Sequence, residues 1–283
     1  MLLLPLVPRL NPVHVLMWTF RRTGRDVINL YNSLSPVMQL ATGGDMLNFG
    51  YWKDAVEPVA AQKALCSLVG EEAELGSART LIDVGSGLSA PAAYWKSRYK
   101  NLDVVCVNIN YCQLAASRKA DASLVNATST LLPFSDSSMD RVIALESSQH
   151  FKPLEQFTRE CRRVLKPGGL LVMAIPVVKV RSAFFKLGIL SFTWSSERYH
   201  LDYVKSAIVK NGFDIAGTAE IGRHVYEPLA DYYSLNRPAL RKKILQEYPP
   251  FLESVLYRSM LKMKGVSQKQ AIGYGVIKCV ARQ

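Results

Sequence analysis

Two glycines, Gly85 and Gly87, with Ser86 between them, are the residues of this sequence best suited to bring a ligand close to the main chain. They follow an apolar run at residues 81–84 and precede a segment, starting at Ser89, that can open a helix. Glycine adopts backbone angles that other residues avoid, and a helix start offers unpaired N–H groups to a polar or anionic ligand. The pattern predicts a strand, a glycine turn and a helix with Ser89 as its N-cap. A plain tight turn is the alternative.

A second group of reactive side chains follows the apolar run at residues 139–145. Glu146 and His150 come directly after this run, which is typical of a buried strand. Ligands bind beyond the carboxyl ends of the strands in open parallel sheets, so both side chains are candidate proton acceptors. A purely structural histidine is the alternative for His150.

A third group is polar and lies at the ends of two further segments. Asn108 follows the apolar run at residues 103–107, where a dinucleotide-binding fold carries an acidic residue that holds the ribose hydroxyls. An amide makes a weaker hydrogen bond there than a carboxylate would. Asn126 and Ala127 lie further along the chain, and the amide oxygen of Asn126 can accept a hydrogen bond.

Alternating apolar runs and amphipathic segments would position these groups. The apolar runs predict strands at residues 81–84, 103–107, 139–145, 170–176, 213–221 and 272–281. The periodicity predicts helices at residues 56–69, 91–99, 153–165 and 201–211, and a mostly helical stretch at 226–269. A further helix, beginning near Asp26, is expected to be interrupted at Pro36.

Five motifs, taken in order, resemble the S-adenosylmethionine-dependent methyltransferases of the Rossmann-like class. Over roughly residues 46–178 these are D-V-G-S-G from Asp83, N-A-x-x-x-x-L-P-F from Asn126, S-M-D-R-V from Ser138, E-S-x-x-H-F from Glu146 and R-V-L-K-P-G-G from Arg163. The segment N-F-G-Y-W at residues 48–52 is similar to the N-x-G-Y-W segment of a small-molecule branch. That branch includes tocopherol, sterol side-chain, phosphoethanolamine and sugar O-methyltransferases, with cyclopropane-fatty-acid synthases nearby.

The resemblance implies an α/β fold with a seven-stranded, mostly parallel, Rossmann-like sheet, an antiparallel last strand, helices on both faces and a helical cap. We interpret residues 1–283 as a single methyltransferase domain. Within it we expect an N-terminal helical lid at residues 1–50, a cofactor-binding core at 51–178, and substrate cap elements at 179–200 and 226–270.

The resemblance also implies S-adenosylmethionine as the cofactor and S-adenosylhomocysteine as its product. The glycine turn would hold the methionine end of the cofactor, Asn108 and Gln113 the ribose, and Asn126 and Ala127 the adenine. The complete set of expected cofactor contacts is Tyr51, Asp83, Gly85, Ser86, Gly87, Asn108, Gln113, Asn126, Ala127 and Leu145. His150 or Glu146 would take the proton that leaves the acceptor. No metal-ligand cluster is visible in the sequence, and no metal is expected.

Charge and aromatic content bear on the acceptor. The net charge of +12 favours an anionic partner, and residues 236–269 carry eight basic side chains against two acidic ones. Arginine is better than lysine at bidentate contact with an anion. A solvated helical face is the alternative. The expected substrate contacts are three arginines in this stretch and four aromatic residues of an earlier connection: Arg237, Arg241, Arg258, Phe184, Phe192, Trp194 and Tyr199.

These features favour methyl transfer to a small, lipophilic acceptor, including C-methylation of a prenyl diphosphate or another isoprenoid. O- or N-methylation of a natural product, a sugar or an amine is the alternative. A nucleic-acid-binding methyltransferase-fold protein is an alternative of another class, and nucleic acid is not the expected partner. A relative that binds the cofactor without transferring methyl groups is a further alternative.

The cysteines and the N-terminus bear on location. Five cysteines without C-x-x-C spacing indicate reduced thiols in a cytoplasmic protein. Residues 1–20 are apolar but broken by prolines, and the uninterrupted apolar run is too short to span a bilayer. They are expected to form part of a lid, with an interfacial membrane anchor as the alternative. The sequence leaves the oligomeric state open.

Overall fold

The structure is a computed structural model that describes residues 22–117, 121–180 and 197–283. A seven-stranded sheet forms its centre. The strands are β1 (Thr80–Val84), β2 (Asp103–Asn108), β3 (Ser123–Asn126), β4 (Met139–Leu145), β5 (Leu165–Val178), β6 (Phe213–Glu220) and β7 (Ile272–Ala281). They are ordered β3-β2-β1-β4-β5-β7-β6. β7 is antiparallel to both of its neighbours, and the other pairs are parallel. The predicted sheet is confirmed, including its antiparallel last strand.

Helices cover both faces of this sheet. They are α1 (Gly24–Thr42), α2 (Pro58–Glu72), α3 (Ala90–Arg98), α4 (Tyr111–Ala116), α5 (Leu154–Val164), α6 (Leu201–Lys210), α7 (Tyr226–Ile244) and α8 (Pro250–Gln268). Successive residues of β1 point to opposite faces, as the pleat of a strand requires. Leu81 therefore joins a core cluster with Trp95 of α3, whereas Ile82 joins a second cluster with Phe157 of α5.

Helix α1 continues through Pro36, where the sequence predicts an interruption. Proline removes one helical hydrogen bond, and the loss is offset by packing on one side of the helix. Val37, which is 1% exposed, packs there with Ile244 of α7, with Tyr248, which precedes α8, and with Leu252 of α8. A tertiary contact therefore decides the length of α1.

Two other details differ from the expectations at the ends of elements. β5 begins at Leu165, immediately after α5, so the K-P-G-G segment belongs to the strand. Ser89 stands at the N-cap position of α3, but its backbone is left-handed (φ 56°) and its side chain makes no capping hydrogen bond.

Two further observations concern the described helices and the cysteines. Among the described residues, no helix is both long and apolar enough to cross a membrane. All five cysteines are free thiols, and Cys112 is the exposed one.

Candidate functional site

A cavity of about 400 Å³ opens at the carboxyl ends of β1, β2 and β4. β1 lies between β2 and β4 in the sheet. The strand order therefore runs from β1 to β2 and β3 on one side and from β4 to β5 on the other. This is the switch point at which ligands bind in open α/β sheets. The cavity is therefore where the sequence-predicted groups would have to meet.

The glycine turn forms one wall of this cavity, and its two glycines have different tasks. A Cβ on Gly85 (φ 76°) would lie 2.4 Å from the Cβ of Ser147, which follows β4. Gly85 is therefore needed for the close approach of two turns of the fold. A Cβ on Gly87 (φ 55°) would have Leu47 as its nearest neighbour, at 3.4 Å. Gly87 thus leaves room at the cavity wall rather than between packed segments.

Asn108 and Gln113 line the cavity, but their side chains also hold the surrounding segments together. The Asn108 amide donates to the carbonyl oxygen of Gly87 at 3.1 Å and to Oε1 of Gln113 at 3.0 Å. Nε2 of Gln113 donates to the hydroxyl of Ser35 in α1 at 2.9 Å. The two residues expected to hold a ribose therefore fix the glycine turn and tie α1 to the end of β2.

The segment after β3 contributes differently from the expectation. Asn126 is exposed and does not line the cavity, because its amide donates to the carbonyl oxygens of Asn108 and Ile109 at 2.8 and 3.0 Å. Ala127 does line the cavity, followed by three hydroxyl-bearing residues that were not predicted from the sequence: Thr128, Ser129 and Thr130. The signal for them was the T-S-T run directly after the N-A pair.

Two other expected contacts lie away from the cavity wall. The Tyr51 ring packs edge-on against His224, with centroids 5.8 Å apart, and its N–H donates to the carbonyl of Ala61. The Asp83 side chain is 2% exposed and does not line the cavity. Burial raises its pKa to about 7, and its Oδ2 has no hydrogen-bond partner among the described residues.

His150 faces the cavity at the end of the short turn that follows β4. Its Nε2 lies 3.0 Å from the hydroxyl of Tyr31 in α1. Burial, together with the positive charge of Arg22, lowers its pKa to about 3. The imidazole is therefore neutral near pH 7, and burial makes its protonated form costly. Tyr31 was not predicted as a site residue from the sequence, because it lies 119 residues before His150 and no local pattern links the two.

Glu146 also lines the cavity, but its carboxylate bonds to the protein itself. Both oxygens accept from the N–H of Phe49 at 3.0 Å, and Oε1 also accepts from the hydroxyl of Tyr274 at 2.8 Å. Burial raises the pKa of Glu146 to about 8, against the opposing effect of these two donors. Glu146 thereby ties the segment before α2 to β7.

The three arginines expected to meet an anionic substrate lie outside this cavity. Arg237 makes a two-pronged contact with Glu253, which is fully buried, at 2.8 and 3.1 Å, and it lies over the ring of Tyr257 at 3.7 Å. Arg241 lies 3.7 Å from the same carboxylate, and Arg258 is exposed. The carboxylate of Glu253 thus engages the two arginines nearest to it.

Of the four aromatic residues expected to contact the substrate, the structure describes Tyr199. Tyr199 donates its hydroxyl to the carbonyl of Phe151, a cavity residue, at 2.7 Å and stacks on Tyr203. Phe184, Phe192 and Trp194 lie outside the described residues.

The sequence of the sheet region matches a known family. Residues 82–173 match the family described as "Methyltransferase domain". The chain is 28% identical to Methyltransferase GfsG of Streptomyces halstedii over 71% of this chain and 77% of that protein. It is 27% identical to the erythromycin 3''-O-methyltransferase of Saccharopolyspora erythraea, over 77% of this chain and 78% of that protein. The chain belongs to the S-adenosylmethionine-dependent methyltransferases of the Rossmann-like class.

A solved structure gives the same fold for nearly the whole chain. A geranyl diphosphate methyltransferase in complex with GPP and sinefungin superposes with a TM-score of 0.73 at 13% identity, covering 91% of this chain and 98% of that one. At this identity the likeness concerns the fold alone. The methyltransferase uses S-adenosylmethionine and acts on a small molecule.

The cavity fits this cofactor. Its volume lies within the range of about 300–1,000 Å³ that is usual for small-molecule sites. Gly87 leaves open the space that a Cβ would occupy at the wall. The hydroxyls of residues 128–130 and the amides of Asn108 and Gln113 supply polar groups suited to a nucleoside.

Proposed function

We propose that this methyltransferase transfers the methyl group to a hydroxyl of a lipophilic small molecule, with His150 receiving the proton. One observation carries the proposal: a neutral imidazole faces the cavity beyond the end of β4, held by the Tyr31 hydroxyl. An acceptor hydroxyl loses its proton as its oxygen bonds to the methyl carbon. His150 can take that proton because the net positive charge of the site is the same before and after the transfer, which offsets the cost of charging a buried imidazole.

The cofactor supplies an activated methyl group on a sulfonium, and the protein binds and aligns it. We assign the methionine end to the glycine turn of Gly85, Ser86 and Gly87, and Leu145 to the wall beside it. Asn108 and Gln113 hold that turn and face the ribose. Ala127 and the hydroxyls of residues 128–130 face the adenine.

Glu146 acts in this proposal as a positioning residue and not as the base. Its oxygens already accept from Phe49 and Tyr274, so they fix the segment before α2 over the cavity. A carboxyl whose pKa is raised to about 8 is also mostly protonated near neutral pH, which disfavours it as a proton acceptor.

The relatives support transfer to oxygen. The erythromycin enzyme is named as a 3''-O-methyltransferase. Apolar lining residues such as Val27, Ile28 and Ile109 suit a lipophilic acceptor.

C-methylation of a prenyl diphosphate is the second candidate. A fold neighbour binds geranyl diphosphate, as its title states. Arg237 and Arg241, which were expected to hold the diphosphate, are engaged by Glu253 instead. What favours this candidate is the presence of two cations, Arg22 and Lys152, in the cavity wall.

The test is an assay with labelled S-adenosylmethionine against hydroxyl-bearing macrolides, amines and geranyl diphosphate, with products located by mass spectrometry. We expect an O-methyl ether, and turnover lowered about a hundredfold in His150→Ala with an unchanged affinity for S-adenosylhomocysteine. His224→Ala, outside the cavity, is the control and should keep full activity. Methylation on carbon or nitrogen, or full activity of His150→Ala, would refute the proposal.

A further inference from the structure

Helices α7 and α8 carry large apolar side chains that the fold does not cover. Leu235 is 82% exposed, Phe251 62% and Leu261 44%. Among the described residues, the other exposed leucine or phenylalanine side chain is that of Leu131. A single exposed apolar residue is ordinary on a protein surface. Three of them on two neighbouring helices therefore need a physical explanation.

On α7 the exposed leucine shares its side of the helix with a cation. Lys242 follows Leu235 by about two helical turns, so the two exposed side chains lie on one side. Ile244, which is fully buried, lies about two and a half turns beyond Leu235 and therefore on the opposite side. The side with Leu235 and Lys242 thus points away from the sheet.

The exposed side of α8 has the same character over a longer stretch. Arg258 follows Phe251 by about two turns, and Leu261 and Lys262 lie about one turn further on. All four are exposed, whereas Met263 is buried on the other side of the helix. Apolar and cationic side chains therefore alternate along one side of α8.

These two sides adjoin, because α7 and α8 pack side by side. The rings of Tyr233 and Tyr257 stack between the helices, with centroids 6.2 Å apart. We call the combined surface the outer face. Its members are Leu235, Lys242, Phe251, Arg258, Leu261 and Lys262.

The cations of the outer face have no acidic partner. Among the described residues, none forms an ion pair or a hydrogen bond with the side chain of Lys242, Arg258 or Lys262. Most carboxylates of α7 and α8 are engaged elsewhere: Asp231 with Lys264, Glu253 with Arg237 and Arg241, and Glu227 with Ser267. The remaining one, Glu247, is exposed in the connection between the two helices. The outer face therefore keeps an excess of positive charge.

Neighbouring elements bring little negative charge to this face. The main contacts of α7 and α8 with other elements are with α1, β7 and the short turn at residues 222–224. The acidic residue of these elements is Asp26 of α1, which is 3% exposed and accepts from Thr23. Glu57, which precedes α2, accepts from the hydroxyl of Tyr232 at 3.0 Å. An anionic partner would therefore meet cations that no neighbouring carboxylate holds.

We propose that the outer face docks on the surface of an anionic lipid membrane. The cations attract the negatively charged headgroups, and the leucine and phenylalanine side chains gain by entering the apolar boundary beneath them. A nucleic acid would also attract the cations, but it offers no apolar layer to Leu235 and Leu261. The docking is peripheral and requires neither cofactor nor acceptor, so it does not depend on the proposed function.

Co-sedimentation of the full chain with lipid vesicles tests the proposal. One set of vesicles consists of phosphatidylcholine, and the other of an equimolar mixture of phosphatidylcholine and phosphatidylglycerol. We expect the protein to bind the anionic vesicles more tightly, and this binding to weaken as the salt concentration rises, because salt screens exposed charges. Equal binding to both sets, or binding to neither, would overturn the proposal.

Charge variants assign the binding to the outer face. Arg258→Gln and Lys262→Gln should each lower the partition onto anionic vesicles about fivefold, the effect expected for one cation near such a surface. Lys63→Gln removes an exposed cation of α2 and is the matched control. Unchanged melting temperatures show that the variants are folded. Partition of both outer-face variants equal to that of the wild type would place the contact elsewhere and overturn the proposal.

An apolar variant distinguishes a membrane from a nucleic acid. Leu235→Ser leaves the charge unchanged and should lower the partition about tenfold, because an apolar side chain no longer enters the lipid. Leu131→Ser, at a leucine that is 70% exposed outside the outer face, is the matched control and should bind as the wild type does. Single-stranded RNA that binds as tightly as the anionic vesicles, with both affinities unaffected by Leu235→Ser, would make the partner a nucleic acid and refute the membrane.

Discussion

At the scale of single residues, the two glycines of one turn have separable tasks. Gly85 is required by Ser147, whose Cβ would lie 2.4 Å from a Cβ at that position. Gly87 meets nothing closer than Leu47 at 3.4 Å, and it faces the cavity. The D-V-G-S-G motif therefore combines one packing position with one position at the cavity wall.

Substitutions at the two glycines should have different effects. We expect Gly85→Ala to destabilise the fold by about 1–3 kcal/mol, the usual cost of overpacking, because two turns must separate. Gly87→Val should weaken S-adenosylhomocysteine binding at least about tenfold with a smaller loss of stability. Thermal unfolding and calorimetry measure the two effects. Unchanged affinity of Gly87→Val would remove the turn from the cofactor site.

The raised pKa of Glu146 should make stability depend on pH. Its pKa rises from 4.5 to about 8 on folding, so the folded state binds the extra proton between these values. Stability should therefore fall as pH rises through this window, up to about pH 8. Glu146→Gln keeps an acceptor for the Phe49 N–H and cannot ionise, so its stability should fall less with pH.

Denaturant unfolding of the wild type and of Glu146→Gln between about pH 6.5 and 8.5 measures this difference in stability. The range begins near the ordinary pKa of histidine, about 6.5, so that histidine titration contributes little to the slope. Asp83, whose pKa is also raised to about 7, contributes the same slope to both proteins and cancels. Identical pH dependence of the two proteins would mean that Glu146 is ionised throughout this range.

At the scale of elements, α1 connects the candidate site to helices α7 and α8. Its Tyr31 bonds to His150, its Asn32 accepts from Asn110 at 2.8 Å, and its Ser35 accepts from Gln113. Its other side packs against α7 through Val37. These bonds support the interpretation of the N-terminal region as a lid, which we propose for α1.

A lid of this kind should respond to the ligand. We expect amide hydrogen exchange in α1 to slow when S-adenosylhomocysteine binds, because closing elements come from the less stable parts of a fold. Helix α6, packed against α5 on the sheet, is the internal control and should not change. Equal exchange in α1 with and without the ligand would make it a fixed part of the wall.

At the scale of the whole molecule, the basic helices α7 and α8 have a structural contact where the sequence predicted a substrate contact. Glu253 is fully buried and receives Arg237 through two hydrogen bonds. Removing Arg237 leaves the buried carboxylate to the more distant Arg241, at 3.7 Å, which compensates its charge less well.

Arg237→Gln should therefore lower the melting temperature and leave the Michaelis constant for the acceptor unchanged. Glu253→Gln in the Arg237→Gln background should recover part of the loss, since no buried charge remains. Lys242→Gln controls for the change in net charge. A raised Michaelis constant without destabilisation would instead restore Arg237 to the substrate site.

Sequence by itself determined six of the seven strands with their approximate ends, the glycine turn and the family. The short strand β3 was not predicted. Apolar runs, periodicity and a glycine at a turn involve only a few neighbouring residues, so they can be recognised from the amino-acid sequence alone. This is why β4 and β7 have the predicted bounds, whereas β5 and α1 differ where a longer-range contact decides the end. The order of the motifs was sufficient for the resemblance, because the order of strands sets the order of ligand-binding turns.

Only the tertiary structure decided which polar side chains face the cavity. Asn126 bonds to the end of β2, Tyr51 packs on His224, and Glu253 engages Arg237. The structure also brings Tyr31 to His150, a pair separated by 119 residues. A side chain takes the partner that best compensates its burial, and that partner is set by packing between distant segments. The position of a residue after a strand therefore predicts its neighbourhood but not its hydrogen bonds.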